Sequence, residues 1–156
     1  MSQLDHKKKQ RALFVSSSGG HWIQMCRLKP AFEEYDVFYV STDPSYFEFV
    51  GREKFTAVPD ASSWSKLRLI LLSFHVLYVL LRIRPKVVLS TGAAPGFFAL
   101  FFAKQMGIKT IWVDSIANVD KISLSGLKVK RYADLWLTQW EHLSKPGGPK
   151  FYGAVV

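Results

Sequence analysis

The sequence predicts an α/β fold, a Rossmann-like parallel sheet covered by helices, and three observations carry that prediction. Short apolar, β-branched or aromatic runs recur and are closed by small polar residues: RALFVSSSGG, DVFYVSTD, KFTAVPD, KVVLSTGAAPG, KTIWVDSIAN and DLWLTQW. Helix-like segments lie between several of them. The runs are apolar nearly throughout instead of alternating, which marks strands buried on both faces.

The first strand, Ala12-Leu13-Phe14-Val15, hands over at SSSGGH to a helix predicted over about 21–34, with Pro30 near its end. Two strands follow, and then a long helix over about 65–84 that Pro85 stops. The fourth strand opens through LSTGAAPGFF, residues 89–98, into a helix over about 96–106. A fifth strand, a helix over about 122–132 and a sixth strand complete the pattern, and the tail SKPGGPKFYGAVV reads as a turn followed by one last strand-like run.

In such a sheet, ligands sit in the crevice at the carboxyl ends of the strands. The first two loops of interest lie there. Gly19 and Gly20 let a ligand approach the backbone, and the first amides of the following helix carry a partial positive charge suited to phosphate. Gly92, Ala93, Ala94 and Gly96 leave similar room beside the Thr91 hydroxyl. A tight strand-to-helix turn without a ligand is the plainer reading of the first loop. The fingerprint G-x-G-x-x-G is absent and no G-K-[ST] follows either loop, so a P-loop is excluded and a free-standing nucleotide-binding oxidoreductase is the weaker rival. Asp43 falls where a ribose-binding acid would stand, but in STDPSY it reads more simply as a turn residue.

A chain of 156 residues is about one domain, 1–156, with a basic polar tail over 1–10. One cysteine, Cys26, excludes an internal disulfide framework. No apolar signal segment precedes Ser16, which predicts the cytoplasmic side. The formal charge of +9 suits an anionic membrane surface or nucleic acid, but the charges are scattered and no nucleic-acid recognition motif is present. Apolar content of 49% with 12 Phe and 5 Trp favours a membrane surface. No cluster of His, Cys or Asp suggests a metal, and no cofactor is expected.

The long helix has an unusual pattern. Its apolar span between Arg68 and Arg82 covers about 20 Å, short of the roughly 30 Å of a bilayer core. At 100° per residue it carries two apolar stripes, Ile70, Leu71, Phe74, Tyr78 and Leu81 on one side and Leu69, Leu72, Val76, Val79, Leu80 and Ile83 on the other. Polar seams separate them, one of which is Arg68, His75 and Arg82. A core helix needs one stripe. The second implies lipid, with the helix lying peripheral or monotopic in an anionic interface, or burial between the sheet and a neighbouring helix.

SSSGGHW, the stretch VVLSTGAAPGFFALFFAKQMGIKTIWVDSIANVDKISLSG and ADLWLTQWEHL together resemble the Alg-fourteen-like family of oligosaccharide biosynthesis proteins, which includes PssD-type polysaccharide subunits. More distantly the chain resembles the N-terminal half of MurG-like GT-B glycosyltransferases. The resemblance implies an acceptor-binding, membrane-associated subunit of a two-chain glycosyltransferase in exopolysaccharide or capsule assembly. Its expected partners are a small donor-binding subunit with the C-terminal domain, a lipid-diphosphate-linked sugar acceptor and the cytoplasmic face of the membrane, with no nucleic acid. The ending FYGAVV falls where a single-chain relative would continue into its second domain. Matched to the family motifs, Ser18, Gly19, Gly20 and His21 form the first acceptor loop, and Thr91, Gly92, Ala93, Ala94, Pro95 and Gly96 the second. Asp114, Ser115 and Asn118 match a polar segment facing the acceptor, with Asp114 in place of the more usual glutamate. His21 and Asp114 are the candidate catalytic residues. Imidazole changes charge nearest neutral pH, which suits His21 to take a hydroxyl proton. A non-catalytic anchor that recruits and activates the catalytic chain is the alternative.

Overall fold

A computed structural model describes residues 9–61 and 65–155; residues 1–8 of the predicted basic tail lie outside it. Seven strands form one parallel sheet: β1 Gln10–Val15, β2 Tyr35–Ser41, β3 Phe55–Ala57, β4 Val87–Ser90, β5 Lys109–Val113, β6 Leu135–Thr138 and β7 Lys150–Phe151. Their order is β3-β2-β1-β4-β5-β6-β7. The order reverses between β1 and β4, which pair from Ala12↔Val87 to Val15↔Ser90. That central pair places both predicted loops side by side at the carboxyl edge.

Among the described residues five α-helices lie between the strands: α1 Gly20–Arg27, α2 Phe47–Val50, α3 Lys66–Ile83, α4 Ala93–Gln105 and α5 Leu124–Val129. Successive residues of β1 point to opposite faces of the sheet. Leu13 and Val15 enter a core with Leu72, Val76 and Leu80 of α3, Leu100 of α4, Trp112 and Val129. Ala12 and Phe14 pack on the other face with Trp22 and Met25 of α1, Tyr39 and Leu89.

Several boundaries differ from the sequence reading. The first helix ends at Arg27, and Pro30 falls in a separate 3-10 turn, Lys29–Phe32. Proline lacks an N–H and would strike the carbonyl four residues back, so the α-helix cannot run on to residue 34. The fourth helix starts three residues before the expected 96, because Pro95 is tolerated in a first turn whose amides need no helical partner. Residues 124–129 form a shorter helix than predicted, capped by Ser123, whose Oγ accepts the Gly126 amide. The final strand, Lys150–Phe151, opens the run expected after the SKPGGP turn.

α3 separates its two stripes as the sequence arranged them. Leu72, Val76, Val79, Leu80 and Ile83 are buried against the sheet. Ile70, Leu71, Phe74, Tyr78 and Leu81 are exposed, Phe74 at 65% and Tyr78 at 61%. Among the described residues nothing buries this second stripe between the sheet and a neighbouring helix. Among the described residues no helix is long and apolar enough to cross a membrane.

Candidate functional site

The strand-to-helix turn after β1 is pinned from two sides. The Ser18 amide donates to Thr42 Oγ1 at 3.0 Å and the Gly19 amide to the Tyr46 hydroxyl at 3.0 Å. The Tyr46 ring stacks on Trp22, centroids 4.4 Å apart, which ties that hydroxyl to α1 itself. Gly19 has φ +72°, open to glycine without strain. The first helical bond runs from the Ile23 amide to the Gly19 carbonyl. The amides of Gly20, His21 and Trp22 therefore precede any possible helical acceptor and point out of the helix end. A Cβ on Gly20 would meet nothing within 4 Å, so the space beside this first helical residue is open.

The second loop turns its small residues to a different use. His21 Nδ1 lies 2.9 Å from the Thr91 carbonyl, and Thr91 Oγ1 donates to the His21 carbonyl at 2.6 Å. Gly92 has φ +147°, and a Cβ there would stand 2.4 Å from His21 Cε1. The Gly92 amide donates to Ser90 Oγ at 3.1 Å, and a Cβ on Gly96 would stand 1.8 Å from that same oxygen. Thr91, Gly92, Pro95 and Gly96 are buried, and of this loop Ala93 faces the open cleft. Ala93 itself sits at φ +65°, a left-handed conformation uncommon for a residue with a side chain.

A cleft of about 870 Å³ runs from His21 and Ala93 past Ser115, Asn118 and Lys121 to Leu124 and Leu127 of α5, with Trp136 and Lys145 on its other walls. Asp114 stands behind this surface, 1% exposed. Its Oδ1 accepts from Trp112 Nε1 at 3.1 Å and Ser123 Oγ at 2.5 Å, and its Oδ2 from the Ser123 amide at 2.9 Å and Asn118 Nδ2 at 3.2 Å. A carboxylate with four donors has no lone pair left for an acceptor hydroxyl, so the expected catalytic contact of Asp114 does not fit this geometry. Its place is structural, closing the 114–123 loop. Ser115 is also engaged: its Oγ accepts from Gln24 Nε2 at 3.3 Å and from the Ala117 amide at 3.2 Å.

Sequence reading missed the buried glutamines. Gln139 Nε2 donates to Gln24 Oε1 and to the Asp114 carbonyl, both at 2.9 Å, and Gln139 Oε1 accepts the Val155 amide at 2.8 Å. The Ile116 amide donates to Gln24 Oε1 at 3.2 Å, so both glutamines hold the loop against α1. One signal was available: Gln24 lies three residues after His21 on the same helix. The apolar i, i+3 pair Leu124 and Leu127 was the other. Asp43 is the turn residue its sequence suggests, since Oδ1 accepts the Ser45 amide at 2.9 Å and hydroxyl at 2.7 Å, and these bonds hold its carboxyl below the usual range.

Residues 39–155 match the family of oligosaccharide biosynthesis proteins described as Alg14 like. The matched region takes in the second loop and the 114–118 segment and begins after the first loop. Over 84 residues the chain is 34% identical to the UDP-N-acetylglucosamine transferase subunit ALG14 of Candida albicans, covering 49% of this chain and 38% of that protein. MurG of Acinetobacter baumannii superposes with a TM-score of 0.70 at 9% identity, over 90% of this chain and 44% of its own. A UDP-GlcNAc 2-epimerase of Methanocaldococcus jannaschii gives 0.63 at 13% identity, over 82% and 39%. The chain thus corresponds to less than half the length of each, and at these identities the two solved structures bear on the fold alone.

Proposed function

The chain belongs to the Alg14-like family of oligosaccharide biosynthesis proteins, and from that premise we propose that it is the acceptor-binding subunit of a two-chain glycosyltransferase acting at the cytoplasmic face of a membrane. The donor is a UDP-sugar bound by a separate small subunit, and the acceptor is a sugar on a lipid diphosphate in surface polysaccharide assembly. One observation supports this most directly: a cleft at the switch point of the sheet joins an imidazole to two exposed leucines. Leu124 is 78% and Leu127 55% exposed on the cleft wall, which suits an acceptor with an apolar tail.

In the proposed reaction the acceptor hydroxyl attacks the anomeric carbon of the donor. The bond to the nucleoside diphosphate breaks and the leaving group departs with the electron pair. His21 takes the hydroxyl proton. The amides of Gly20, His21 and Trp22 face the acceptor's diphosphate, with Lys121 and Lys145 on the cleft wall to balance its charge. Asp114, Ser115 and Asn118 hold the loop that shapes the acceptor side, and the groups that neutralise the leaving diphosphate belong to the partner subunit.

Membrane attachment follows from α3. Its exposed stripe is flanked by the exposed cations Lys66, Arg68, Arg82 and Arg84, and neither ion pair among the described residues involves them. α4 packs between α3 and α5, so the stripe and the cleft leucines lie on the same side of the sheet.

The purified chain should transfer no sugar by itself and gain turnover on addition of a donor-binding subunit. Sustained single-chain turnover with UDP-sugar and lipid acceptor would refute the two-chain reading. A second expectation concerns the tail. Replacing Leu124 and Leu127 by Ser should raise KM for a long-chain lipid diphosphate sugar about tenfold or more, at roughly 0.8 kcal/mol for each methylene left in water. It should leave a short-chain acceptor nearly unaffected, and equal effects on both acceptors would remove α5 from the lipid path.

A further inference from the structure

We infer that the loop from Ser90 to Gly96 is a seat for the His21 ring, which fixes the neutral imidazole as its Nδ1–H tautomer and keeps Nε2 as the ring's acceptor. A carbonyl oxygen can only accept, so the 2.9 Å contact with the Thr91 carbonyl requires the hydrogen on Nδ1. Among the described residues Nε2 has no hydrogen-bond partner, and His21 lines the cleft.

The small residues behind the ring follow in sequence. Gly96 has no side chain because Ser90 Oγ occupies the place of its Cβ. Ser90 Oγ accepts the Gly92 amide and so holds the loop at the extended, positive-φ conformation that favours glycine. Gly92 has no side chain because the His21 ring occupies that place, 2.4 Å from where a Cβ would be. Thr91 Oγ1 returns a bond to the His21 carbonyl and fixes the backbone from which the ring projects. The glycines of this loop therefore make room for the His21 ring and the Ser90 hydroxyl. The catalytic meaning of the seat rests on the reading of His21 as the proton acceptor; the seat itself does not.

The test uses the full chain labelled with ¹⁵N and the two-bond proton–nitrogen correlations of its imidazoles, recorded where the rings are neutral. The chain has four histidines, so His21→Ala identifies the signals of interest. Nδ1 of His21 should resonate as a pyrrole-type and Nε2 as a pyridine-type nitrogen. In Gly92→Ala both should move toward the averaged positions of freely exchanging histidine. A wild-type ring protonated on Nε2, or unchanged shifts in Gly92→Ala, overturns the inference.

Should Gly92→Ala fold poorly, stability decides. Its loss of melting temperature should shrink in a His21→Ala background, because the clash with the ring is gone while the backbone strain remains. Equal losses in both backgrounds overturn the seat. In the assembled complex Gly92→Ala should lower kcat about a hundredfold with acceptor KM kept; an unchanged kcat overturns the catalytic meaning of the seat, while the nitrogen shifts judge the seat itself. If the wild-type complex transfers no sugar, the proposed function fails, and the nitrogen shifts still judge the seat.

Discussion

Leu72→Asp with Val79→Asp should unfold the protein, whereas Leu71→Asp with Tyr78→Asp should leave it folded and release it from anionic vesicles. All four residues belong to one helix and each pair spans two turns, so helix propensity changes similarly in both variants. The difference is the environment. Leu72 is fully buried and Val79 nearly so. Truncating a buried aliphatic side chain costs about 2–5 kcal/mol, and an unpaired buried carboxylate adds several more. Two such sites exceed the roughly 5–15 kcal/mol that holds a domain together. Leu71 and Tyr78 are already in water, at 47% and 61% exposure, so a carboxylate there costs the fold little. In the lipid interface each forfeits about 1.5–3 kcal/mol of apolar transfer and meets the anionic surface with a like charge. Circular dichroism and vesicle sedimentation separate the two outcomes. Unfolding by both pairs would exclude lipid from the second stripe. Raising salt should weaken attachment of the wild type without abolishing it, since screening reaches the arginines and lysines but not apolar insertion.

Gly20→Val should abolish transfer by the complex, and His21→Ala should slow it a hundredfold or more. The first loop should accept both substitutions without loss of the fold. A Cβ on Gly20 meets no protein atom within 4 Å, so valine should cost the fold little while crowding a ligand that approaches the helix end. Partner pull-down should therefore be normal while acceptor binding is lost. His21→Ala removes the ring but not the amides of Gly20, His21 and Trp22, so acceptor binding should persist and the rate alone should fall, as expected for a lost general base. An active Gly20→Val complex would take the acceptor off this loop. An active His21→Ala complex with normal acceptor binding would leave the phosphate role standing and deny the histidine its chemistry; retained activity in both would favour the anchoring role.

The strand set and the sheet's carboxyl edge were legible because each depends on a local rule. Apolar runs such as ALFV and VVL need burial on both faces, and the small residues after them mark the carboxyl edge. The division of α3 into a buried and an exposed stripe was legible for the same reason, since angular position along a helix is a property of spacing alone. What bears on the site was less so. Glycines at 92 and 96 look like room for a ligand, yet the room is taken by His21 and Ser90. Asp114 looks like a site acid, yet Trp112, Asn118 and Ser123 consume its oxygens. Gln24 and Gln139 meet at 2.9 Å across 115 residues. No spacing rule reports such a pairing, because it exists only once the sheet is assembled.

The reciprocal bonds between His21 and Thr91 also bear on how the chain reaches its native state. They join residues 70 positions apart, and they flank the pairing of β1 with β4. During synthesis β1 can pair early with β2, but its other edge stays open until the residues of β4 have been made. Leu13 and Val15 are then without Leu100 of α4, and closing so long a loop precedes any reward from the contacts it brings. Nascent chains should therefore pass through an interval in which an unpaired strand edge invites association with other chains. The imidazole reaches its place beside the Thr91 carbonyl only after that interval ends, so a correctly seated ring reports that both halves of the sheet have met.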